Sequence, residues 1–253
     1  MTTGRTHIRF TRVYIDGYDM SGYSRSFGPL ACTFDEGIDD SVDKTIKGVL
    51  PGSANITMGT LSGLFDNTAT SGLHVIANAA GVARYVMIPF GISAAPENND
   101  PVFSGIFLQK GYTGNPDENP VNAGLEFGGQ EVTATHLSYA RPWGVLLHAK
   151  AARTAANTAT GLDQTASSVL GGWMQYHVFS GDGTAALKVQ HASTNSDGSF
   201  GDLLSSGTVD CSSPTKGIAT LAKTATVNRY VRWQLTLGTA TTVTFAISFH
   251  RGV

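Results

Sequence analysis

A strict two-residue alternation near the C-terminus constrains this chain more than any other feature. In Val231-Arg232-Trp233-Gln234-Leu235-Thr236-Leu237 every second residue is apolar, and Val243-Thr244-Phe245-Ala246-Ile247-Ser248-Phe249 keeps the same period after Gly238-Thr239-Ala240-Thr241-Thr242. A period of two sends successive side chains to opposite faces of an extended backbone, so each run reads as a strand with one face on a core. Two such runs joined by a short glycine-containing connection predict a hairpin. Further strands are predicted over 7–15, 56–61, 84–90, 102–108, 131–137, 145–149, 174–179 and 187–191. Turn chemistry separates them at Asp16-Gly17, Pro51-Gly52, Asn98-Asn99-Asp100-Pro101, Gly181-Asp182-Gly183 and Asn195-Ser196-Asp197-Gly198.

Helical pattern is scarce. Ile38, Val42 and Ile46 fall at i, i+4 and i+8, with Asp39, Asp40 and Asp43 near the start and Lys44 and Lys47 near the end. That charge order suits the helix dipole, and Gly48 can stop the helix, so one short flanking helix is predicted over 38–47. The Ala-rich stretch 150–160 reads as a loop. The expected fold is therefore mainly β.

Composition supports this reading. Charged residues make up 14% of the chain, against about 25% in an average globular domain. Short neutral polar side chains and 30 glycines take their place, which suits tight turns and a surface covered by neighbours, where charges are costly to desolvate. A net charge of −2 and a pI near 6.4 give no basic field for gripping nucleic acid. No apolar run approaches the roughly 20 residues needed to span a bilayer, so no membrane partner is expected. The opening Met1-Thr2-Thr3-Gly4-Arg5-Thr6-His7 lacks the apolar region of a signal peptide, and synthesis in the cytoplasm is expected. Cys32 and Cys211 have no metal-ligand spacing and read as small, reduced, buried apolar residues.

Catalytic signatures are missing. Gly-x-Ser-x-Gly, the Walker-type loop, His-Glu-x-x-His and Gly-x-Gly-x-x-Gly do not occur. No catalytic, cofactor-binding or metal residues are therefore predicted, no cofactor is expected, and the chain is not expected to be an enzyme. The seven histidines are scattered and read as hydrogen-bonded structural residues. The acidic group Asp35, Glu36, Asp39, Asp40 and Asp43 does not match a calcium loop. It reads as a solvated helix start, with an electrostatic role at an assembly surface as the other reading. Arg5, Arg9, Arg12 and Arg25 read as solvated or paired with a partner's carboxylates, and Trp143, Trp173 and Trp233 as core or interface residues.

The halves echo each other. Val82-Ala83-Arg84-Tyr85-Val86 returns as Val227-Asn228-Arg229-Tyr230-Val231, each opening a strand that leads past a glycine to a second apolar strand. The echo raises the reading of an internal duplication. Gly114-Asn115-Pro116-Asp117-Glu118-Asn119-Pro120 between the copies reads as a linker. Two β-sandwich or barrel-like domains are thus expected, over 1–120 and 121–253.

Several segments carry a family likeness. The chain opens with Tyr14-Ile15-Asp16-Gly17-Tyr18-Asp19-Met20-Ser21-Gly22-Tyr23-Ser24-Arg25, followed by Gly28-Pro29-Leu30, Phe34-Asp35-Glu36, Lys47-Gly48-Val49-Leu50-Pro51-Gly52 and Gly63-Leu64-Phe65-Asp66-Asn67. With the closing Arg229-Tyr230-Val231-Arg232-Trp233 and the final alternating strands, this order resembles the tail-tube (major tail) proteins of long-tailed bacteriophages over nearly the full chain. The resemblance implies a virion protein assembled in the host cytoplasm into rings that stack as a hollow tail tube and conduct DNA without gripping it. Rings would be hexameric, or pseudo-hexameric from three copies if the chain holds two tube-like domains, and would contact other tail proteins. The assembly element it implies is the 38–47 segment, with Ile38, Val42 and Ile46 as the docking stripe and Asp35, Glu36, Asp39 and Asp40 around it. A capsid-decoration or tail-tip β-sandwich that binds a receptor or glycan is the alternative.

Overall fold

A computed structural model of the chain describes residues 8–39, 48–117, 119–130, 141–157 and 159–252. Eighteen strands run through these residues: β1 (Tyr14–Ile15), β2 (Tyr18–Asp19), β3 (Ser24–Phe27), β4 (Leu30–Asp39), β5 (Gly48–Met58), β6 (Leu61–Leu64), β7 (Val82–Pro89), β8 (Pro101–Asn115), β9 (Asn122–Gln130), β10 (Trp143–Arg153), β11 (Leu162–Asp163), β12 (Gly172–Gly181), β13 (Thr184–Ala192), β14 (Gly201–Ser205), β15 (Val209–Asp210), β16 (Thr215–Thr220), β17 (Tyr230–Leu237) and β18 (Val243–Arg251). One five-residue helix, α1 (Leu73–Ala77), lies between β6 and β7. The mainly-β expectation holds.

The chain forms two compact units, one of Met1–Ser24, Arg84–Ile106 and Val132–Val253, the other of Arg25–Ala83 and Phe107–Glu131. Their boundaries differ from the expected split at residue 120, because the second unit is an insertion into the first. The proline-rich 114–120 stretch is a hairpin connection between β8 and β9 inside that insertion, where Asn115 pairs with Asn122.

In the first unit, one sheet follows the order β16-β12-β18-β10-β8-β7-β1-β2, and a second follows β11-β17-β13-β14 with β15 also on β13. The alternation seen in the sequence makes them a sandwich. Met174, Tyr176 and Val178 of β12 and Phe245, Ile247 and Phe249 of β18 meet Leu187 and Val189 of β13 and Val231, Trp233 and Leu235 of β17 in one buried cluster. Trp233 lies edge-on to Phe245 at 5.6 Å and to the buried His148 at 4.5 Å.

The expected C-terminal hairpin does not form. β17 pairs with β11 and β13, whereas β18 pairs with β10 and β12, so the two alternating runs face each other across the sandwich. Hydrogen bonds to the parallel crossing from β12 to β13 fix this course. Gly238 N–H donates to Thr184 O at 2.9 Å, Thr184 N–H donates to Thr239 Oγ1 at 2.9 Å, and Asp182 Oδ1 accepts from the Thr241 and Thr242 amides at 2.8 and 3.0 Å. The sequence echo is not repeated in architecture either, since β7 and β17 lie in different sheets with different partners.

The eight-strand sheet curls until its ends meet. Asp16 (φ 52°) and Gly17 (φ 88°) make the two-residue turn between β1 and β2, the mirror-image turn that matches strand twist. This turn presses on β16 so closely that a Cβ on Gly17 would lie 2.6 Å from the Thr215 nitrogen. Asp16, buried, receives the Arg84 guanidinium and the Tyr85 amide, each at 3.0 Å.

In the second unit, β9 pairs with β5, β6 and the outer half of β8, and β3 pairs with β6. Met58, Leu61, Leu73, Phe107, Leu125 and Phe127 are buried, and the buried Gln109 Nε2 caps the helix by donating to Ala77 O at 2.6 Å. Two glycines pinch the chain where β3 gives way to β4 and β5 to β6. Gly28 N–H donates to Thr60 O at 2.8 Å and Gly59 N–H to Pro29 O at 2.9 Å, and a Cβ on Gly59 would stand 2.7 Å from Gly28 Cα. The strand expected over 56–61 is broken there.

The helix expected over 38–47 is corrected at its start. Ile38 and Asp39 continue β4 and pair with Val49 and Gly48 of β5; residues 40–47 lie outside the described residues. The strand expected over 7–15 is instead a short 3-10 turn (Ile8–Phe10) followed by β1. The 150–160 loop begins later than expected, as β10 runs to Arg153. The strand expected over 131–137 falls outside the described residues.

Two outcomes test this packing. Trp233→Ala should cost about 3–5 kcal/mol through lost burial and a cavity, read as a lower denaturation midpoint. Gly59→Ala forces backbone against backbone at the pinch and should cost about 1–3 kcal/mol, with faster hydrogen exchange at the Gly28 and Gly59 amides.

Candidate assembly surface

Beyond the glycine pinch, once past the pairing of β9 with β5 at Gly129 and Thr57, β4 and β5 run on as a two-stranded ribbon among the described residues. Cys32 stands opposite Ile56, Thr33 opposite Asn55 and Phe34 opposite Ala54. Directly opposed residues of an antiparallel pair share a face. The ribbon is therefore amphipathic, with Cys32, Phe34, Ala54 and Ile56 on one side and Thr33 and Asn55 on the other. Thr33 Oγ1 donates across the polar side to Asn55 O at 3.4 Å.

Burial along the apolar face falls steeply with distance from the root. Ile56 is 9% exposed, Cys32 is half-buried, and Phe34 is 58% exposed. Thr33, Asp35, Glu36, Gly37, Ser53 and Asn55 are exposed as well. A register shift between Phe34 and Glu36 puts the acidic pair at an irregularity in the ladder. β4 pairs with β5 alone among the described residues, so its other edge carries no strand there. An open edge is a template for pairing with a further strand.

Of the residues predicted as an assembly element, Asp35, Glu36, Ile38 and Asp39 fall on β4. Asp35 and Glu36 are exposed on the outer half of β4, and Ile38 and Asp39 close it. Asp40, Val42 and Ile46 lie outside the described residues. Phe34 and Ala54 were not among the predicted site residues. The signal that finds them is the period-two run Leu30, Cys32, Phe34.

Other polar candidates are internal. His148, His177 and His250 are fully buried, and burial pushes each of their pKa values down to about 3, with the Arg153 charge adding to the effect at His148 and the Lys216 charge at His177. His74 lies between Phe65 and Tyr112, and His191 Nδ1 accepts the Asn228 amide. Among the described residues no three His, Cys, Asp or Glu side chains gather as metal ligands. Cys211 is buried, its thiol pKa raised by that burial, while Cys32 is only half-buried. Arg25 donates to Asn122 Oδ1 at 2.9 Å and Arg12 to the Arg9 and Thr11 carbonyls at 3.1 and 3.0 Å. Trp173 and Trp233 are core residues and Trp143 is 43% exposed. No described helix is long and apolar enough to cross a membrane.

No protein-family model matches the chain, and comparison with curated proteins gives no match. Among solved structures it is similar to the SPP1 Dit (gp 19.1) protein, described as a paradigm of the hub adsorption apparatus in phages infecting Gram-positive hosts. The alignment covers 96% of this chain and 99% of that one at 10% identity, with a TM-score of 0.33. At that TM-score neither fold nor function follows from the likeness.

Proposed function

We propose that this chain is a non-enzymatic structural protein of a bacteriophage tail, and that it assembles with copies of itself through the β4–β5 ribbon. The observation that carries the reading is the ribbon's exposed apolar face beside a β4 edge that no other described strand pairs with. An isolated two-stranded ribbon is marginal in water, and an exposed Phe34 on it gains by burial against a neighbour. Three of the segments that resemble tail-tube proteins lie on the same element: Gly28-Pro29-Leu30 at its root, Phe34-Asp35-Glu36 on β4 and the Gly48–Gly52 part of β5.

Charge favours one mode of contact. β4 and β5 contain Asp35, Glu36 and Asp39 and no Lys or Arg. Pairing one β4 edge with the same edge of a second copy sets these carboxylates near each other, which is unfavourable. A contact between the ribbon and a different surface of the next copy avoids that repulsion. Such heterologous contacts close into rings or extend as filaments. The finer reading is a stacked-ring tail tube, with the near-neutral charge letting DNA pass without counterion-release binding.

Sedimentation and electron microscopy of the purified protein test this. Wild type should form rings or tubes, and Phe34→Asp should stay monomeric with an unchanged melting midpoint. A wild type that remains monomeric at high concentration, or a Phe34→Asp variant that assembles normally, overturns the proposal.

A further inference from the structure

The concave face of the curled sheet sets buried polar side chains beside an apolar cluster of Tyr14, Met87, Val102, Leu146 and Ala246, unlike the mainly apolar sandwich core on its other side. Gln175 and His177 of β12, Ser248 and His250 of β18 and Ser104 of β8 all lie fully buried there. Ser104 and Ser248 hydroxyls meet at 3.2 Å, His250 Nε2 is 3.0 Å from Ser248 Oγ, and the His250 ring stacks on Trp173 at 4.0 Å. Gln175 Nε2 donates to Val86 O at 3.0 Å, tying β12 to β7 across the interior.

His177 sits where the sheet's two ends meet. The Gly17 amide, in the β1–β2 turn, donates to His177 Nδ1 at 3.0 Å; the ring proton then sits on Nε2, 2.9 Å from the Gln175 side-chain nitrogen, which is itself a donor. A backbone N–H can only donate, so this contact requires a lone pair on Nδ1 and therefore a neutral ring. The charged groups around it are few. Lys216 is its register partner on β16; Asp16 is in the turn, 3.8 Å from Lys216 Nζ and 3.0 Å from Arg84 of β7. Tyr14 of β1 lies at 6.3 Å between ring centroids, Tyr85 of β7 lies under the Lys216 ammonium, and His250 is the other titratable group on the concave face. Ala246, opposite on β18, brings no charge.

We infer that His177 is a proton-operated clasp: its neutral ring holds the β1–β2 turn on β12 and β16, and its protonation releases that turn. Protonation turns Nδ1 from acceptor into donor, directly against the Gly17 N–H. It also adds a third cation beside Lys216 and Arg84, with Asp16 as the one carboxylate among them. Release uncovers the outer edge of β16 and frees the β1–β2 hairpin.

The direction of the pH effect follows from linkage. Burial, reinforced by the Lys216 charge, lowers the His177 pKa to about 3 in the closed state, against about 6.5 once exposed. A depressed histidine pKa means that closure is fully favoured above about pH 6.5 and weakens as pH falls toward about 3. The opening constant rises by about tenfold per pH unit over that window.

Native-state hydrogen exchange of the full chain, corrected for intrinsic rates, reads this at the Asp16, Gly17 and Met20 amides between pH 7 and pH 4.5. The expected opening constant for these amides climbs about tenfold per pH unit below about pH 6.5. His177→Asn, which keeps an acceptor near the Nδ1 position but does not titrate, should hold the constant flat. A flat wild-type profile, or the same slope in His177→Asn, overturns the clasp. Should that variant fail to fold, the wild type alone decides. Amides of β18 that open with the same constant and slope as the β1–β2 amides would show unfolding of the whole unit and no separate clasp. A distinct, shallower slope at β1–β2 supports it.

Discussion

The first unit depends on β18 being buried on both faces. Its Phe245, Ile247 and Phe249 point into the sandwich, where they meet Trp233, Leu235 and Val231, while Ala246, Ser248 and His250 point into the concave interior. Large apolar side chains on one side and small or polar ones on the other give the sheet its curvature. The sandwich side is wide enough for aromatic rings, and the concave side lets β12 and β7 approach within hydrogen-bonding distance at Gln175 and Val86. That approach brings the β1–β2 turn onto β16 and completes the unit. The interior must then hold histidines in their neutral form, because charging them without a paired carboxylate in the interior is costly.

The second unit follows the opposite logic. Its buried residues gather around β6, β9, α1 and the inner ends of β5 and β8, and the pinch at Gly28 and Gly59 marks where cover stops. Past it, β4 pairs with β5 alone among the described residues, and the apolar row from Ile56 to Phe34 becomes steadily more exposed. A chain with so few charges has little else to keep such a surface solvated. The first unit thus encloses its apolar rows in a sandwich, while the ribbon of the second leaves its apolar row exposed.

The parts of this arrangement set by local alternation were legible in the sequence. β17 and β18 carry the strict period of two, and β7, β8, β10, β12 and β13 fall on stretches the sequence marks as strands between turn signals. What alternation cannot convey is the partner. Trp233 and Phe245 do share a core, but across two sheets, because the Gly238–Thr242 connection is fastened to Asp182 and Thr184. The helix over 38–47 was misread at its start for a definable reason. A spacing of four is an even number, so Ile38, Val42 and Ile46 fit a period of two as well as 3.6, and Leu30, Cys32 and Phe34 upstream already show the shorter period. The helix among the described residues, α1, is too short to show periodicity. The buried His177 and His250 look in sequence like polar positions on an ordinary strand, since nothing local shows that the sheet curls over them.

The central claim is that the open edge of β4 is completed by another copy of the chain. A structure of the assembled particle by electron cryo-microscopy, at a resolution that separates strands, tests this most directly. The account predicts β4 hydrogen-bonded along its free edge to a strand of a neighbouring copy, with Phe34 buried in that contact. Particles in which β4 keeps a solvent-facing edge and Phe34 remains exposed would contradict it.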